Sequence, residues 1–439
     1  MLETIEKTEH KKGYKKTKLG WIPEKWEVKK LGDFGNFKNG ISKGGENFGF
    51  GTPIIGLNDV FGKFYIKENN LNSLVNASEQ ELIDFNLNKG DVLFVRSSVK
   101  PEGVGLPCVV ESNLEKTTFS GFLIRFRDTK GILNDKYKRY CFLLEYFRHR
   151  LLSKSTISAN TNINQSSLAS LNMIIPSLKE QEKIAEILSA WDDGIETLEK
   201  LIEQKELFHK ALMKNLLIGK IRLFGFSKNS EYKKTKFGSI PVDWQVKPLK
   251  LLFDKRMQKY SGNTEYNIFT NSATKGVVLQ NEYFDRSIVT EENTSNYYVV
   301  REDDFMYNPR ISQNAPAGPI NRNKLGITGI ASPIYTIFKA KYDTIVDFYE
   351  QYFNSNLWNN SMFMVANQGA RHDRLNITNN DFMNMPLPYP PLKEQEKIAN
   401  VLIESYKEIQ LLNSKLEKLK EQKKGLMQKL LTGQIRVKV

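Results

Sequence analysis

Residue types that could do chemistry occur in this sequence, but seldom at spacings that would let them cooperate. Glu27-Val-Lys29 has the order of a nuclease Glu-x-Lys element. The matching place in the second half reads Gln245-Val-Lys247, which lacks the carboxylate a metal would need. Tyr307-Asn-Pro-Arg310 is one proline short of the Asn-Pro-Pro-aromatic signature of amino-methyltransferases. Phe48-Gly-Phe-Gly51 lacks the glycine spacing of a dinucleotide site, and no P-loop occurs. The four histidines, His10, His149, His209 and His372, stand at no metal-ligand spacing. The expectation is a chain that holds no catalytic centre, no metal and no cofactor.

Residues suited to binding nucleic acid are better represented. The candidate DNA contacts of the first half are Lys38, Lys43, Arg96, Asn160 and Asn162, with Asn39, Arg125, Arg127, Thr161 and Gln165 in the same stretches. Those of the second half are Arg310, Gln313, Asn314, Arg371, His372 and Arg374, with Arg322 nearby. Arginine reads guanine edges bidentately, asparagine or glutamine reads adenine, and any of them can hold phosphate. Any one of these residues alone is more often a solvated surface group. Lys and Arg number 64 against 50 Asp and Glu, a net charge of +14 that suits a polyanionic partner.

The elements that must position these residues are written twice. Leu178-Lys-Glu-Gln-Glu-Lys-Ile-Ala185 returns unchanged as Leu392–Ala399, each copy after proline. Tyr14-Lys-Lys-Thr-Lys-Leu-Gly20, with Ile22-Pro23 and Trp26, returns as Tyr232–Gly238, Ile240-Pro241 and Trp244. Gly219-Lys-Ile-Arg222 returns as Gly433-Gln-Ile-Arg436. A repeat on this scale sets the architecture. We read a tail at 1–13, a globular segment at 14–177, a long helix at 178–222, a linker at 223–231, a second globular segment at 232–391 and a second long helix at 392–436. Each globular segment is expected to be a mixed α/β domain. Trp26-x-Val28 and Trp244-x-Val246 alternate as a first strand would, Val92–Val95, Tyr297–Val300 and Ile334–Phe338 read as further strands, and 135–152 and 343–365 read as helical. Arg96 and Arg310 stand 214 residues apart, each after an acidic residue and an apolar strand.

Apolar residues at Ile184, Leu188, Trp191, Ile195, Leu198 and Ile202 step by four and three, and Ile398, Leu402, Ile409, Leu412, Leu416 and Leu419 form a similar stripe. Such stripes are coiled-coil seams, and the economical partner for each helix is the other copy. Antiparallel pairing suits the connectivity, because the cycle closes if the C-terminal end returns to Tyr14. Two cysteines, Cys108 and Cys141, make no disulfide framework and suit a reducing cytoplasm. The charged first residues do not resemble a signal peptide, and no apolar run is long enough for a membrane helix.

These motifs resemble the specificity subunit of type I DNA restriction–modification systems over residues 14–439. The resemblance rests on Pro176-x-Leu178-x-Glu-Gln181 and Pro391-Leu-Lys-Glu-Gln395, on Leu217–Arg222 and Leu431–Arg436, and on the two Gly-x-Ile-Pro…Trp phrases. It implies two target-recognition domains in a pseudo-twofold repeat, separated by an antiparallel coiled coil. Each domain would bind one half of a split DNA site. It also implies two methyltransferase subunits, restriction subunits in the full complex, and S-adenosylmethionine, ATP and magnesium carried by those partners. Two other readings compete: a fused or stand-alone DNA-modifying or cleaving enzyme, which needs motifs that are missing, and a structural coiled-coil DNA-binding protein, which would not need two dissimilar basic domains.

If the helices set the spacing of the half-sites, four residues inserted before Gly219 add ~6 Å of helix. The half-sites should stay the same while the unspecified gap grows by about one or two base pairs. Sequencing the modified sites reads this out, and an unchanged gap at full activity would show that the helices are not the ruler.

Overall fold

The computed structural model describes residues 12–66, 71, 73–157, 160–226, 231–235, 238–262, 266–283, 294–366 and 373–438. Contacts divide the chain into two compact units, Met1–Glu199 with Lys415–Val439, and Lys200–Ser414. Each unit therefore takes one globular segment, the first half of the long helix that follows it, and the second half of the other long helix. Most of the 1–13 tail and the middle of the 223–231 linker lie outside the described residues.

Both globular segments open on an antiparallel hairpin, Tyr14–Thr17 with Gly20–Pro23 and Tyr232–Thr235 with Gly238–Pro241. Gly20 and Gly238 turn there at φ +96° and +121°, a region that strains an L side chain. Trp26 and Trp244 sit just before the strands Glu27–Lys30 and Gln245–Pro248, not on them. Burial of each indole takes it off the strand, which pairs instead with the last strand of its segment, Asn172–Ile175 or Pro386–Tyr389.

The middles of the segments look unrelated in sequence but carry one sheet order. In the first unit it runs Gly35–Asn39, Leu123–Asp128, Val92–Val95, Pro107–Val110, Tyr65–Ile66. In the second it runs Phe253–Lys255, Thr336–Ala340, Phe305–Tyr307, Ile320–Arg322. Val92–Val95 is wholly buried, as a strand covered on both faces should be. The strands expected at Tyr297 and Ile334 begin at Tyr298 and Thr336. The acidic residue before each central strand is an anchor: Arg127 Nη2 donates to buried Asp91 at 2.7 Å, and Arg256 Nη2 to buried Asp304 at 2.7 Å. The stretches 135–152 and 343–365 each break into two helices, Lys138–Cys141 with Glu145–Ser153, and Val346–Asn354 with Asn359–Val365.

The long helices span Leu178–Leu216 and Leu392–Leu431 and stop short of the expected Arg222 and Arg436. Gly219 at φ +69° and Gly433 at φ +74° turn the chain out of the helix, as glycine does at a C-terminus. The helices pair antiparallel. In the first unit Ile184 and Leu188 share a core with Met427, Leu430 and Leu431, and Glu199 pairs with Lys420 at 2.8 Å. In the second, Leu216 and Leu217 share a core with Ile398 and Leu402, and Lys205 pairs with Glu408 at 2.8 Å.

The repeated motifs converge on one knot per unit. The Trp26 indole N–H donates to Glu180 Oε2 at 3.0 Å, and Arg436 Nε donates to the same carboxylate at 3.1 Å. The Tyr14 hydroxyl donates to the Gly433 carbonyl at 2.7 Å, which closes the cycle. In the second unit Trp244 donates to Glu394 at 3.0 Å, Arg222 Nη2 to Glu394 at 2.8 Å and to Asp243 at 2.8 Å, and Tyr232 to Gly219 O at 3.0 Å. A Cβ on Gly433 would lie 2.5 Å from Pro23, and one on Gly219 2.6 Å from Pro241, so both glycines are needed for close approach as well as for φ. Burial alone would raise the Glu180 carboxyl, but hydrogen bonds from Arg436, Ser177 and Trp26 outweigh it and hold it below the usual range. Its contribution to stability is thus complete above about pH 4.3 and is lost as pH falls through the depressed value.

Glu394→Ala would leave Trp244 without its acceptor and Arg222 with Asp243 alone. It should cost roughly 3–5 kcal/mol, the usual penalty for breaking a buried pair, read as the urea midpoint of unfolding. Lys183→Ala, which removes the exposed pair with Glu186, should leave that midpoint nearly unchanged, because solvent screens the pair. Equal losses in the two variants would show that the knot carries no special weight.

Candidate nucleic-acid interface

In the first unit the central strand Val92–Val95 delivers Arg96 to its end. The Arg96 N–H donates to Phe122 O at 2.8 Å, Nη1 donates to Gly121 O at 3.2 Å, and the Arg96 carbonyl accepts from Ile163 N–H at 3.0 Å. The following residues form a small ladder: Ser97–Ser98 pairs with Thr161–Asn162, which pairs with Thr156–Ile157. Tertiary structure thus brings Asn160 and Asn162 beside Arg96, and Asn162 Nδ2 donates to Asn160 O at 2.9 Å.

Lys38 and Lys43 belong to a different neighbourhood. Lys38 Nζ pairs with Asp84 at 3.2 Å over the Phe85 ring, and Lys43 Nζ pairs with Glu81 at 2.7 Å. Both acids lie on the helix Glu79–Asp84, which Ser78 caps. Lys43 and the Ser78 cap hold the Glu81 carboxyl below its ordinary range. A phosphate at either lysine would have to displace a carboxylate. Arg125 and Arg127 turn inward to Asn86 and Asp91, and Arg322 is held by Asp303, Asp347 and Glu350. These three arginines support the scaffold.

In the second unit Arg310 lies directly opposite Arg374 in an antiparallel bridge, held by Leu375 N–H to Pro309 O at 2.9 Å and Ile311 N–H to Asp373 O at 3.1 Å. Among the described residues the nearest carboxylate contact of either guanidinium is Asp373, 3.4 Å from Arg374. Ser312 bridges Ala315, so Gln313 and Asn314 stand exposed at a loop tip. Beside Arg310 and Asn314 opens a cleft of about 710 Å³ walled by Thr270, Ser272, Tyr283, Tyr297 and Tyr335. No spacing in the sequence signals this cleft, because its tyrosines come from three separate segments. Arg371 and His372 lie outside the described residues.

The short motifs that suggested catalysis have other uses. Glu27 and Lys29 pair with each other at 2.7 Å on an exposed strand. Lys29 does most to hold that carboxyl low. Tyr307 is buried and stacks on Phe382 at 4.6 Å, while the Asn308 carboxamide accepts from Arg310 N–H at 3.1 Å and makes a turn.

The Type I restriction modification DNA specificity domain matches residues 23–207. A Methanocaldococcus jannaschii protein, provisionally named the type I restriction enzyme MjaX specificity subunit, is 28% identical over 442 residues, 97% of both chains. The type I restriction enzyme MjaVIII specificity subunit of the same organism is 26% identical, over 95% of this chain and 94% of the relative. The fold matches the HsdS subunit of Thermoanaerobacter tengcongensis, with a TM-score of 0.51 at 14% identity, over 94% of this chain and 98% of that one. A further match is a chain from a structure describing complex assembly and conformational transition of the type I R-M system. It gives a TM-score of 0.58 at 13% identity, over 94% of this chain and 99% of that one. Among the described residues no helix is long and apolar enough to cross a membrane. With its duplicated motifs, paired long helices and two mixed α/β units, the chain is similar over nearly its whole length to type I restriction–modification specificity subunits, a likeness that supports a role in DNA sequence specificity.

Proposed function

We propose that each globular segment reads one half of a two-part double-stranded DNA site, and that the chain brings methyltransferase subunits, and restriction subunits in the full complex, to that site. The observation that carries this reading is the Arg310–Arg374 bridge. Like charges directly opposite across a ladder are destabilising, and among the described residues the only carboxylate contact is the weak one from Asp373 to Arg374. A polyanion at that edge would relieve the repulsion. Arg96, with Asn160 and Asn162 alongside, is the corresponding edge of the first segment. Gln313, Asn314, Arg371, His372 and Arg374 remain the candidate contacts of the second, whereas the ion-paired Lys38 and Lys43 are weaker candidates. S-adenosylmethionine, ATP and magnesium would be held by the partners, and the reaction takes place in the cytoplasm.

The chain alone, given DNA and S-adenosylmethionine or magnesium, should neither methylate nor cleave. With its methyltransferase subunit it should direct modification to a two-part sequence, read by sequencing the methylated bases. Methyl transfer by the chain alone would overturn the proposal.

Arg310→Ala should weaken DNA binding by about 1–3 kcal/mol and relax one half-site if the guanidinium reads a base. If it holds phosphate, binding should weaken for all sequences and its salt dependence should fall. Arg96→Ala should do the same for the other half. Affinity for half-site variants at two salt concentrations separates these outcomes, and no effect in either would remove both arginines from the interface.

A further inference from the structure

The first unit exposes three large apolar side chains around Arg96 that its fold does not use. Val99 is 81% exposed, Ile157 80% and Phe122 61%. Scattered apolar residues on a surface are ordinary, but these three are tied to one small ladder. Val99 follows Ser98, which pairs with Thr161, which pairs with Ile157. Phe122 supplies the carbonyl that accepts the Arg96 N–H at 2.8 Å. Strands lie ~4.8 Å apart, so the ladder from Ser98 to Ile157 is ~10 Å wide, about the rise of three base pairs.

Basic groups flank this apolar crest. Among the described residues Lys100 and Lys154, both exposed, make no ion pair, and Arg96 gives one guanidinium nitrogen to a backbone carbonyl and none to a carboxylate. Asn162 lies in the same ladder as a polar reader. A surface that sets bare aliphatic and aromatic groups among uncompensated cations fits the major groove of DNA. There the thymine C5-methyl is the apolar feature among hydrogen-bonding base edges and phosphates. A protein partner would need apolar area without the cations, and the net charge of +14 favours the polyanion.

We infer that Val99, Phe122 and Ile157 read thymine methyl groups in the half-site of the first segment, with Arg96 and Asn162 reading the neighbouring base edges. This rests on the proposed reading of a two-part DNA site and names the specificity-determining side chains within it. Hydrogen bonding sets which base edge is accepted, and the crest adds a preference for thymine over every base that lacks a methyl at that position.

The test uses the full chain with its methyltransferase subunit and a random-sequence duplex library, from which bound duplexes are sequenced. The half-site that Arg96→Ala relaxes is assigned to the first segment. A selected duplex is then made with uracil in place of thymine in that half, which removes only the methyl. Wild-type binding should weaken about fourfold for each contacted methyl lost, the equivalent of ~0.8 kcal/mol per buried carbon. The variants Val99→Ser, Phe122→Ser and Ile157→Ser, at exposed positions, should fold normally and lose that distinction one contact at a time. A selected duplex whose affinity is unchanged by uracil overturns the inference, as do variants that weaken thymine and uracil duplexes equally. Loss of methyltransferase association with DNA affinity intact would assign the crest to a protein and also overturn it. A library that emerges unselected overturns the two-part reading itself, and this inference with it.

Discussion

Each unit depends on a buried carboxylate at the start of a long helix that ties together three distant parts of the chain. Glu180 accepts from Trp26 at the start of the segment and from Arg436 beyond the other helix, and Glu394 accepts in the same way from Trp244 and Arg222. A carboxylate with almost no solvent exposure is costly unless donors satisfy it. Here an indole N–H and a guanidinium do so, and the guanidinium also lies over the indole ring, 5.7 Å away in the first unit and 5.9 Å in the second. The position of the globular segment against the ends of both helices follows from that one satisfaction requirement.

The same requirement explains why the two halves look alike at their ends and unlike in their middles. A glycine that must let Pro23 or Pro241 approach, a tryptophan that must reach the carboxylate and an arginine that must pair with it have no substitutes of the same shape and charge. The sheet strands between them need only apolar faces in the right order. The central strands Val92–Val95 and Phe305–Tyr307 share little sequence, yet each is buried and each follows an aspartate paired with arginine. Val99 and Lys100 beyond one strand and Arg310 to Asn314 beyond the other are exposed, so these residues can differ between the halves. Two edges of different chemistry on one scaffold suit the recognition of two different sequences.

Charge compensation divides the basic residues into two groups. Arg125, Arg127, Arg256 and Arg322 spend their donors inside the protein, and Lys38 and Lys43 are matched by Asp84 and Glu81. Arg310 and Arg374 face each other, and among the described residues one weak carboxylate contact, from Asp373 to Arg374, offsets their charge. Arg96, Arg310 and Arg374 therefore stand at strand-end loops with charge that a polyanion can reach.

Much of this was legible from the residues alone. Duplication determined that there would be two similar segments and two long helices, and the stepping of Ile184, Leu188, Leu198 and Ile202 determined that the helices would pair. The resemblance carried by the Pro-x-Leu-x-Glu-Gln and Gly-x-Ile-Arg phrases led to the family. What the residues could not show is which of them meet. Glu180 and Arg436 are 256 positions apart, and no local pattern reports a contact made through folding at that range. Alternation, a local signal, puts Trp26 on a strand, whereas a buried hydrogen bond to a distant helix decides its place. Only tertiary structure separated Arg96, Arg310 and Arg374 from the equally basic Arg127 and Arg322. A side chain's availability depends on whether the fold supplies its counter-charge, and that is a property of neighbours in space, not in sequence.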